Sequence, residues 1–346
     1  MRLNHFERLQ PICPVCRLTG LESALRLESV TLEQAGHIIE GVLHCSQNSC
    51  QREFPIIDGI PLIVADIRRY VSDNIFAITA RRDMSELIES ILGDCCGPSS
   101  TLDVQRQHVS SYTWDHYADL DPQETSQGPA PGSAVRVLTS GLDLMGGLPA
   151  GPVLDIGCSV GRATFLLADH TDDLVLGVDI NFPMLRLAAD VLRTGEVSYP
   201  RRRVGVVYDR RTFPAQFDNA KQVDFWACDA NALPFRSHAF SAASCLNVLD
   251  CLPAPAQFLD ELGRILQEQG RAILACPYDW ATSATPLEAW LGGHSQRSRT
   301  SGSSEAILRT LLTPGADPSS SKQLRIVKET ESLDWHVRLH DRSSMN

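Results

Sequence analysis

This 346-residue chain lacks several things, and each absence excludes something. No run of about 18 apolar residues occurs, so no transmembrane helix and no membrane partner are expected. No apolar stretch of signal-peptide type follows Met1-Arg2-Leu3-Asn4-His5-Phe6-Glu7-Arg8, which points to a cytoplasmic place. Positive charge is not in excess: the formal net charge is −11, which argues against a generic nucleic-acid binder. No internal repeat is apparent. The eleven cysteines, with no export signal, read as reduced thiols and metal ligands rather than a disulfide frame. Hydrophobic residues make up 43% of the chain, enough for a full core in two domains or one large domain with an appendage.

A dinucleotide fingerprint, G-x-G-x-x-G after a strand, is also missing. In its place stands Val153-Leu154-Asp155-Ile156-Gly157-Cys158-Ser159-Val160-Gly161-Arg162, a short apolar run ending on an acid and then a glycine turn. The helical-looking run Ala163-Thr164-Phe165-Leu166-Leu167-Ala168 follows. A second acid-ended strand, Leu176-Gly177-Val178-Asp179, closes 24 residues after Asp155. The glycines let backbone approach a ligand, and the second carboxylate suits a ribose diol. A carboxylate two residues before the first glycine repels a pyrophosphate and suits a cationic or amine-bearing ligand. Further along, Val223-Asp224-Phe225-Trp226-Ala227-Cys228-Asp229-Ala230 reads as a third acid-ended strand, and Ala239 to Asn247 as a fourth, largely apolar strand. Gln257 to Gln267 reads as an amphipathic helix ended by Gly270, with Phe258, Leu259, Leu262, Ile265 and Leu266 at helical spacing, and Arg271 to Cys276 as a fifth strand.

The turn and the acid-ended strands resemble the class I S-adenosylmethionine-dependent methyltransferases over roughly residues 135–346. Ser159 stands where their middle glycine is commonest. The resemblance implies a doubly wound, Rossmann-like α/β sheet. It also implies S-adenosylmethionine as cofactor, held by Asp155, Gly157, Cys158, Gly161, Arg162, Asp179, Ile180, Asp229, Ala230 and Asn247, with Asp229 near the adenine amino group.

Cys13-Pro14-Val15-Cys16 and Cys45-Ser46-Gln47-Asn48-Ser49-Cys50 are two cysteine pairs with 28 residues between them. Together they can close a tetrahedral thiolate site, for which a structural zinc ion (Zn2+) is the usual occupant; four thiolates leave no open catalytic position. Phe54 to Leu62 reads as a strand, an Asp58-Gly59 turn and a strand. The segment resembles the small zinc-ribbon family that includes the activator subunit of tRNA and protein methyltransferases. The expected organisation is therefore a zinc-ribbon-like β domain over 1–66, a helical lid segment and linker over 67–134, and the methyltransferase domain over 135–346. The ribbon reads as a separate fold, with protein docking on it as an expectation.

Between the two, Tyr70 to Leu92 shows helical periodicity and Asp94 to Ser100 reads as a loop. Tyr112, Trp114 and Tyr117 form an aromatic cluster placed to pack as a lid, and Gln123 to Ser133 reads as a Pro/Gly/Ser-rich linker. The cysteines at 228, 245 and 276 read as small hydrophobes at or in apolar strands.

Asn247-Val248-Leu249-Asp250 stands at the end of the fourth strand, followed later by Pro277-Tyr278-Asp279-Trp280 and Trp290-Leu291-Gly292-Gly293. These pieces resemble methyltransferases acting on imidazole nitrogens, the carnosine N-methyltransferases and the C-terminal methyltransferase domain of ovothiol synthases. The resemblance implies Asp250, Asn247 and Tyr278 as catalytic residues. Asp250 would bond the far side of an azole, and Tyr278 and Trp280 would form an aromatic wall. The favoured partner is a small-molecule acceptor. The run Tyr199 to Phe213 holds Arg201, Arg202, Arg203, Arg210 and Arg211, which can clamp a carboxylate or RNA phosphate. An RNA-base methyltransferase and a non-catalytic S-adenosylmethionine-binding regulator are the alternatives.

Overall fold

The computed structural model describes all residues except 125–129, 318–320, 322, 331–332, 342 and 346. Helices α1 (Leu3–Leu9) and α2 (Pro14–Leu18) precede four antiparallel strands, β1 (Leu25–Gln34), β2 (His37–Cys45), β3 (Glu53–Ile57) and β4 (Ile60–Ile63). Helices α3 (Ile67–Ile78), α4 (Glu86–Cys96), α5 (Thr101–Tyr117) and α6 (Ser133–Met145) follow. The core then runs β5 (Val153–Ile156), α7 (Arg162–Ala168), β6 (Val175–Asp179), α8 (Phe182–Thr194), the hairpin β7 (Glu196–Val204) and β8 (Val207–Pro214), and β9 (Val223–Cys228). It closes with β10 (Phe240–Leu246), α9 (Pro255–Ile265), β11 (Leu266–Ala275), α10 (Ser304–Leu311) and the small pair β12 (Val337–His340) and β13 (Ser343–Met345).

The central sheet has order β1-β2-β3-β4-β9-β6-β5-β10-β11, and β9, β6, β5, β10 and β11 are all parallel. Parallel strands are covered on both faces, so successive side chains enter two cores. Leu154, Ile156, Leu176, Val178 and Trp226 enter one, and Val153, Val175, Val223, Phe225 and Ala227 the other. This is the mixed α/β architecture, rich in parallel strands, read from the sequence.

The N-terminal strands are not a sheet of their own. β4 pairs in parallel with β9, Leu62 opposite Ala227 and Ile63 opposite Cys228, so the segment extends the core sheet. The cause is composition: every residue of β4 is buried, and such a strand needs cover on both faces. The backbone N–H of Arg2 donates to the buried Asp224 carboxylate (2.8 Å) and its Nε to Val223 O (2.9 Å), tying α1 to β9 as well.

Three boundaries differ from the sequence reading. The run 70–92 is two helices, because Ser85 caps α4 by accepting from Ile88 N. That second helix runs on to Cys96, which shortens the expected 94–100 loop to four residues, 97–100. Helix α9 ends at Ile265 and β11 begins at once. Gly270 lies inside β11, in a bulge between the pairs Phe240–Leu266 and Ala242–Arg271. In the linker, residues 125–129 lie outside the described residues.

Candidate active site and four-cysteine cluster

The carboxyl ends of β5, β6, β9, β10 and β11 gather the sequence-selected residues at one edge of the sheet, where open α/β sheets bind ligands. Gly157 has φ +72°, and a Cβ there would sit 2.1 Å from the Val248 side chain. Only glycine lets the turn pass so close to the end of β10. The N–H groups of Gly157 and Cys158 donate to Val178 O (2.8 and 3.0 Å), and the Cys158 thiol is buried. Ser159 adopts φ +52°, the left-handed region that favours glycine, and is held there because its N–H donates to Asp179 Oδ2 (2.8 Å). Asp179 Oδ1 accepts from Asn181 N (2.8 Å). One carboxylate thus fixes the glycine turn against β6, and burial raises its pKa.

Asp155 lies deeper. It is 2% exposed and accepts from Thr164 Oγ1 (2.7 Å) and Ser244 Oγ (2.5 Å). Burial raises its pKa to about 6, although both hydroxyls favour the charged form. It joins β5, α7 and β10 beneath the turn rather than lining the opening. Arg162 turns away: its Nη2 pairs with Asp119 (3.1 Å), and its guanidinium lies 5.2 Å from the Phe217 ring centre.

A cleft of about 470 Å³ opens beside Asp179, lined by Val64, Tyr70, Asn74, Ile180, Asn181 and Asp229 among others. Tyr70 donates to Ile180 O (3.0 Å), and Asp229 Oδ1 accepts from Asn231 N (2.9 Å), with Ala230 next to it half-buried. Val64, Tyr70 and Asn74 come from the segment directly after β4. Nothing in their local sequence marks them, because the β4–β9 pairing is what brings them here. A second cleft of about 340 Å³, lined by Arg8, Pro152 and His238, lies at the amino ends of β5 and β10, the wrong edge for this chemistry.

At the ends of β10 and β11 the backbone is strained. Asn247 has φ +56° and Tyr278 φ +57°, and such residues persist only where surrounding structure over-determines them. Asn247 N donates to Ala275 O (2.8 Å). Asp250 is 2% exposed, and its Oδ2 accepts from Asp279 N (2.7 Å), latching the strand end that carries Tyr278. Thr285 Oγ1 donates to Asp250 O and Leu252 O, closing the loop. Burial raises the Asp250 pKa.

The aromatics divide differently from the sequence reading. Trp280 stacks on Trp290 (6.1 Å between centres) and donates from Nε1 to Ser304 Oγ on α10. Burial raises the Tyr278 pKa, with Cys276 next to β11 and Glu305 of α10 adding to it. For Tyr112 of α5, partial burial pushes the pKa up to about 12, with Cys251, Asp179 and Asp250 adding to it. Tyr112 remains 44% exposed, whereas Trp114 and Tyr117 are buried; Tyr117 donates to Val160 O (2.7 Å).

The arginine run is the hairpin β7–β8, and four of its five arginines pair with acids of the chain. Arg201 and Arg203 pair with Asp209, Arg210 with Glu89, and Arg211 with the buried Asp121. Arg202 donates to Gln107 Oε1 (2.9 Å) and Gly205 O (2.8 Å).

At the ribbon end, the thiols of Cys13, Cys16, Cys45 and Cys50 lie within 4.8 Å of one another. Cys13 to Cys50 is 3.8 Å and Cys16 to Cys45 is 3.7 Å. The edge of a tetrahedron with Zn–S bonds of about 2.3 Å is about 3.8 Å, so the donor set fits zinc.

Residues 154–274 match the family model of a methyltransferase domain. Among solved structures, the chain is similar to the YcgJ protein of Bacillus subtilis (18% identity, covering 40% of this chain and 49% of that one, TM-score 0.32). It is also similar to a putative methyltransferase of Bacillus halodurans (20% identity, 38% and 46% covered, TM-score 0.29). A third is a putative S-adenosyl-L-methionine-dependent methyltransferase of Methanococcus maripaludis (15% identity, 51% and 65% covered, TM-score 0.32). The chain spans about half the length of the first two. Over residues 154–274 it carries a methyltransferase domain.

Proposed function

We propose that the chain methylates a small nitrogen acceptor, an azole or amine, using S-adenosylmethionine, with a structural zinc ion held by Cys13, Cys16, Cys45 and Cys50. The observation that carries this is the set of buried carboxylates, Asp155, Asp179 and Asp250, around one glycine turn. Such a field suits a cation and repels a phosphate. The cofactor, when bound, supplies a sulfonium methyl group with a strong leaving group. The chain's own residues then position and desolvate the acceptor. Asp179 accepts from the ribose diol, Asp229 lies along the cleft for the adenine end, and Asn247 directs the acceptor nitrogen. Asp250 Oδ2 accepts from Asp279 N, and Oδ1, to which only the Cys251 thiol donates (3.9 Å), takes an azole N–H and balances its developing positive charge. Tyr112 takes the aromatic place over the acceptor that the sequence reading gave to Tyr278 and Trp280.

The RNA reading loses its main support, since four of the five hairpin arginines are already paired with acids of this chain. Docking of a protein on the ribbon has no observation behind it beyond the resemblance.

Two expected results test the cofactor half. Asp179→Ala should weaken S-adenosylmethionine binding by roughly 1.5–3 kcal/mol, the scale of hydrogen bonds to a charged group. A wild-type chain that does not bind it in calorimetry, or an unaffected variant, removes the assignment. The second concerns pH. A cation favours the ionised form of Asp155, so binding is linked to proton loss and tightens as pH rises through about 6. Affinity that is flat from about pH 5 to about pH 8 contradicts this role for the carboxylate.

A further inference from the structure

The cleft of about 340 Å³ at the amino ends of β5 and β10 lies across the sheet from the acids of the glycine turn. Small-molecule sites run roughly 300–1,000 Å³, so it has room for a small ligand. Its walls come from separate parts of the chain. The end of α1 brings Arg8 and Gln10, the loop ahead of β10 brings Arg236, Ser237 and His238, and β11 brings Gln267. The first wall is tied to the core close by, where Ile12 N donates to Pro234 O (2.8 Å). Two of these residues hold left-handed backbone without being glycine, Gln10 at φ +44° and His238 at φ +62°. Gln10 also precedes Pro11, a position that favours extended backbone. Outliers of this kind persist where surrounding structure over-determines them, and ligand clamps are one such place. His238 is held by its N–H, which donates to Arg264 O (2.9 Å), and by Nδ1, which lies 2.8 Å from Leu266 O. A carbonyl only accepts, so Nδ1 carries the hydrogen and Nε2 is the ring atom available to a ligand.

Charge selects the ligand. No carboxylate lines the cleft, and its ionisable side chains are Arg8, Arg236 and His238. In a chain of net charge −11 that is a local reversal of sign. Arg8 gives one Nη to Asp173 (3.1 Å) and keeps its other donors. Among the described residues, Arg236 has no ion-pair partner. A metal ion finds no acid or thiol there, and an apolar molecule finds mostly polar groups. Guanidinium groups grip oxyanions through paired N–H donors, and the Ser237 hydroxyl with the Gln10 and Gln267 amides can serve further oxygens. A phosphate monoester matches this best, because it gathers close to two charges and three acceptor oxygens on one tetrahedral group.

We propose that this cleft is a binding site for a small phosphate monoester, its phosphate held by Arg8, Arg236 and His238. Calorimetry and thermal unfolding of the full chain, with its metal retained, test this with glycerol 3-phosphate at low salt. The expected result is one equivalent bound with a Kd of about 1 mM or tighter, while glycerol does not bind. The ligand touches both the end of α1 and the core, so Tm should rise with its concentration. Arg236→Glu should weaken binding about 10-fold or more, the scale of a lost hydrogen bond to a charged group. Arg236 is exposed, so the circular dichroism spectrum of this variant should match wild type. His238→Asn should weaken binding as well, and asparagine tolerates the left-handed backbone, so this arm stands if the first variant fails to fold. Citrate, which carries its charge on carboxylates, should bind more weakly than the ester. A wild-type chain that ignores the ester, ester binding unchanged by the two substitutions, or citrate bound equally tightly overturns the proposal. S-adenosylmethionine affinity should stay the same in both variants, since the cleft lies at the far edge of the sheet, so the methyl-transfer reading stands or falls separately.

Discussion

A chain carrying Cys13→Ser and Cys16→Ser should purify without zinc, and wild type should carry about one ion. It should also bind S-adenosylmethionine more weakly. The first half follows from the donor set: two thiolates cannot hold an ion that four hold at tetrahedral spacing. Zinc binding of this type is worth an apparent ~10–16 kcal/mol at pH 7, so the segment around the cysteines loses most of its stabilisation. The second half follows from the sheet. β4 is hydrogen-bonded to β9, and the residues directly after it, from Val64 to Asn74, form one wall of the cleft beside Asp179 and Asp229. Loss of order in β1–β4 is therefore transmitted to that wall. A ribbon folded on its own would leave affinity unchanged. Elemental analysis and calorimetry on the same preparations separate the two cases. Metal-free wild type contradicts the zinc assignment, and a metal-free variant with wild-type affinity contradicts the coupling.

Asp250→Asn should leave cofactor affinity near wild type and cut turnover by about 10²-fold or more, the scale of a lost charge-stabilising group. The substitution is informative because of the latch. The Asn amide oxygen can still accept from Asp279 N, so the loop carrying Tyr278 keeps its anchor and only the charge is lost. Asp250→Ala removes both, and leaving Asp279 N unpaired should add roughly 1–3 kcal/mol of destabilisation, visible as a lower Tm. A purely structural Asp250 gives the reverse pattern, with an active Asp250→Asn and a damaged Asp250→Ala. Histidine derivatives, histidine-containing peptides and total RNA, each with radiolabelled cofactor, supply the acceptors. Label entering RNA alone ends the small-molecule reading.

The acid-ended strands and the glycine turn were legible in the sequence because they are local. An apolar run, a carboxylate and a tight turn occupy ten consecutive residues, 153–162, and their backbone needs are met within that stretch or by the next strand. The four cysteines were legible for a similar reason: metal ligands come in short knuckles, and their thiols do converge. Ser85 and Ser100, which cap α4 and α5, were present as signals but passed over, the first within a run read for periodicity and the second at the end of a run read as a loop.

The sequence by itself thus determined the alternation of buried strands and helices, the carboxylates at the strand ends and the thiolate cluster. Only the tertiary structure decided that β4 joins β9, so that the N-terminal segment walls the cleft. It alone paired hairpin arginines with Asp121, Asp209 and Glu89, and turned the apolar Leu87, Ile88, Ile91 and Leu92 of α4 outward. The reason is the range of the forces that settle each. Strand and turn patterns answer to neighbours a few residues apart. The pairing of a strand edge, the partner of a charge and the side of a helix that meets the core depend on contacts between residues far apart in the chain, whose mutual fit no local pattern encodes.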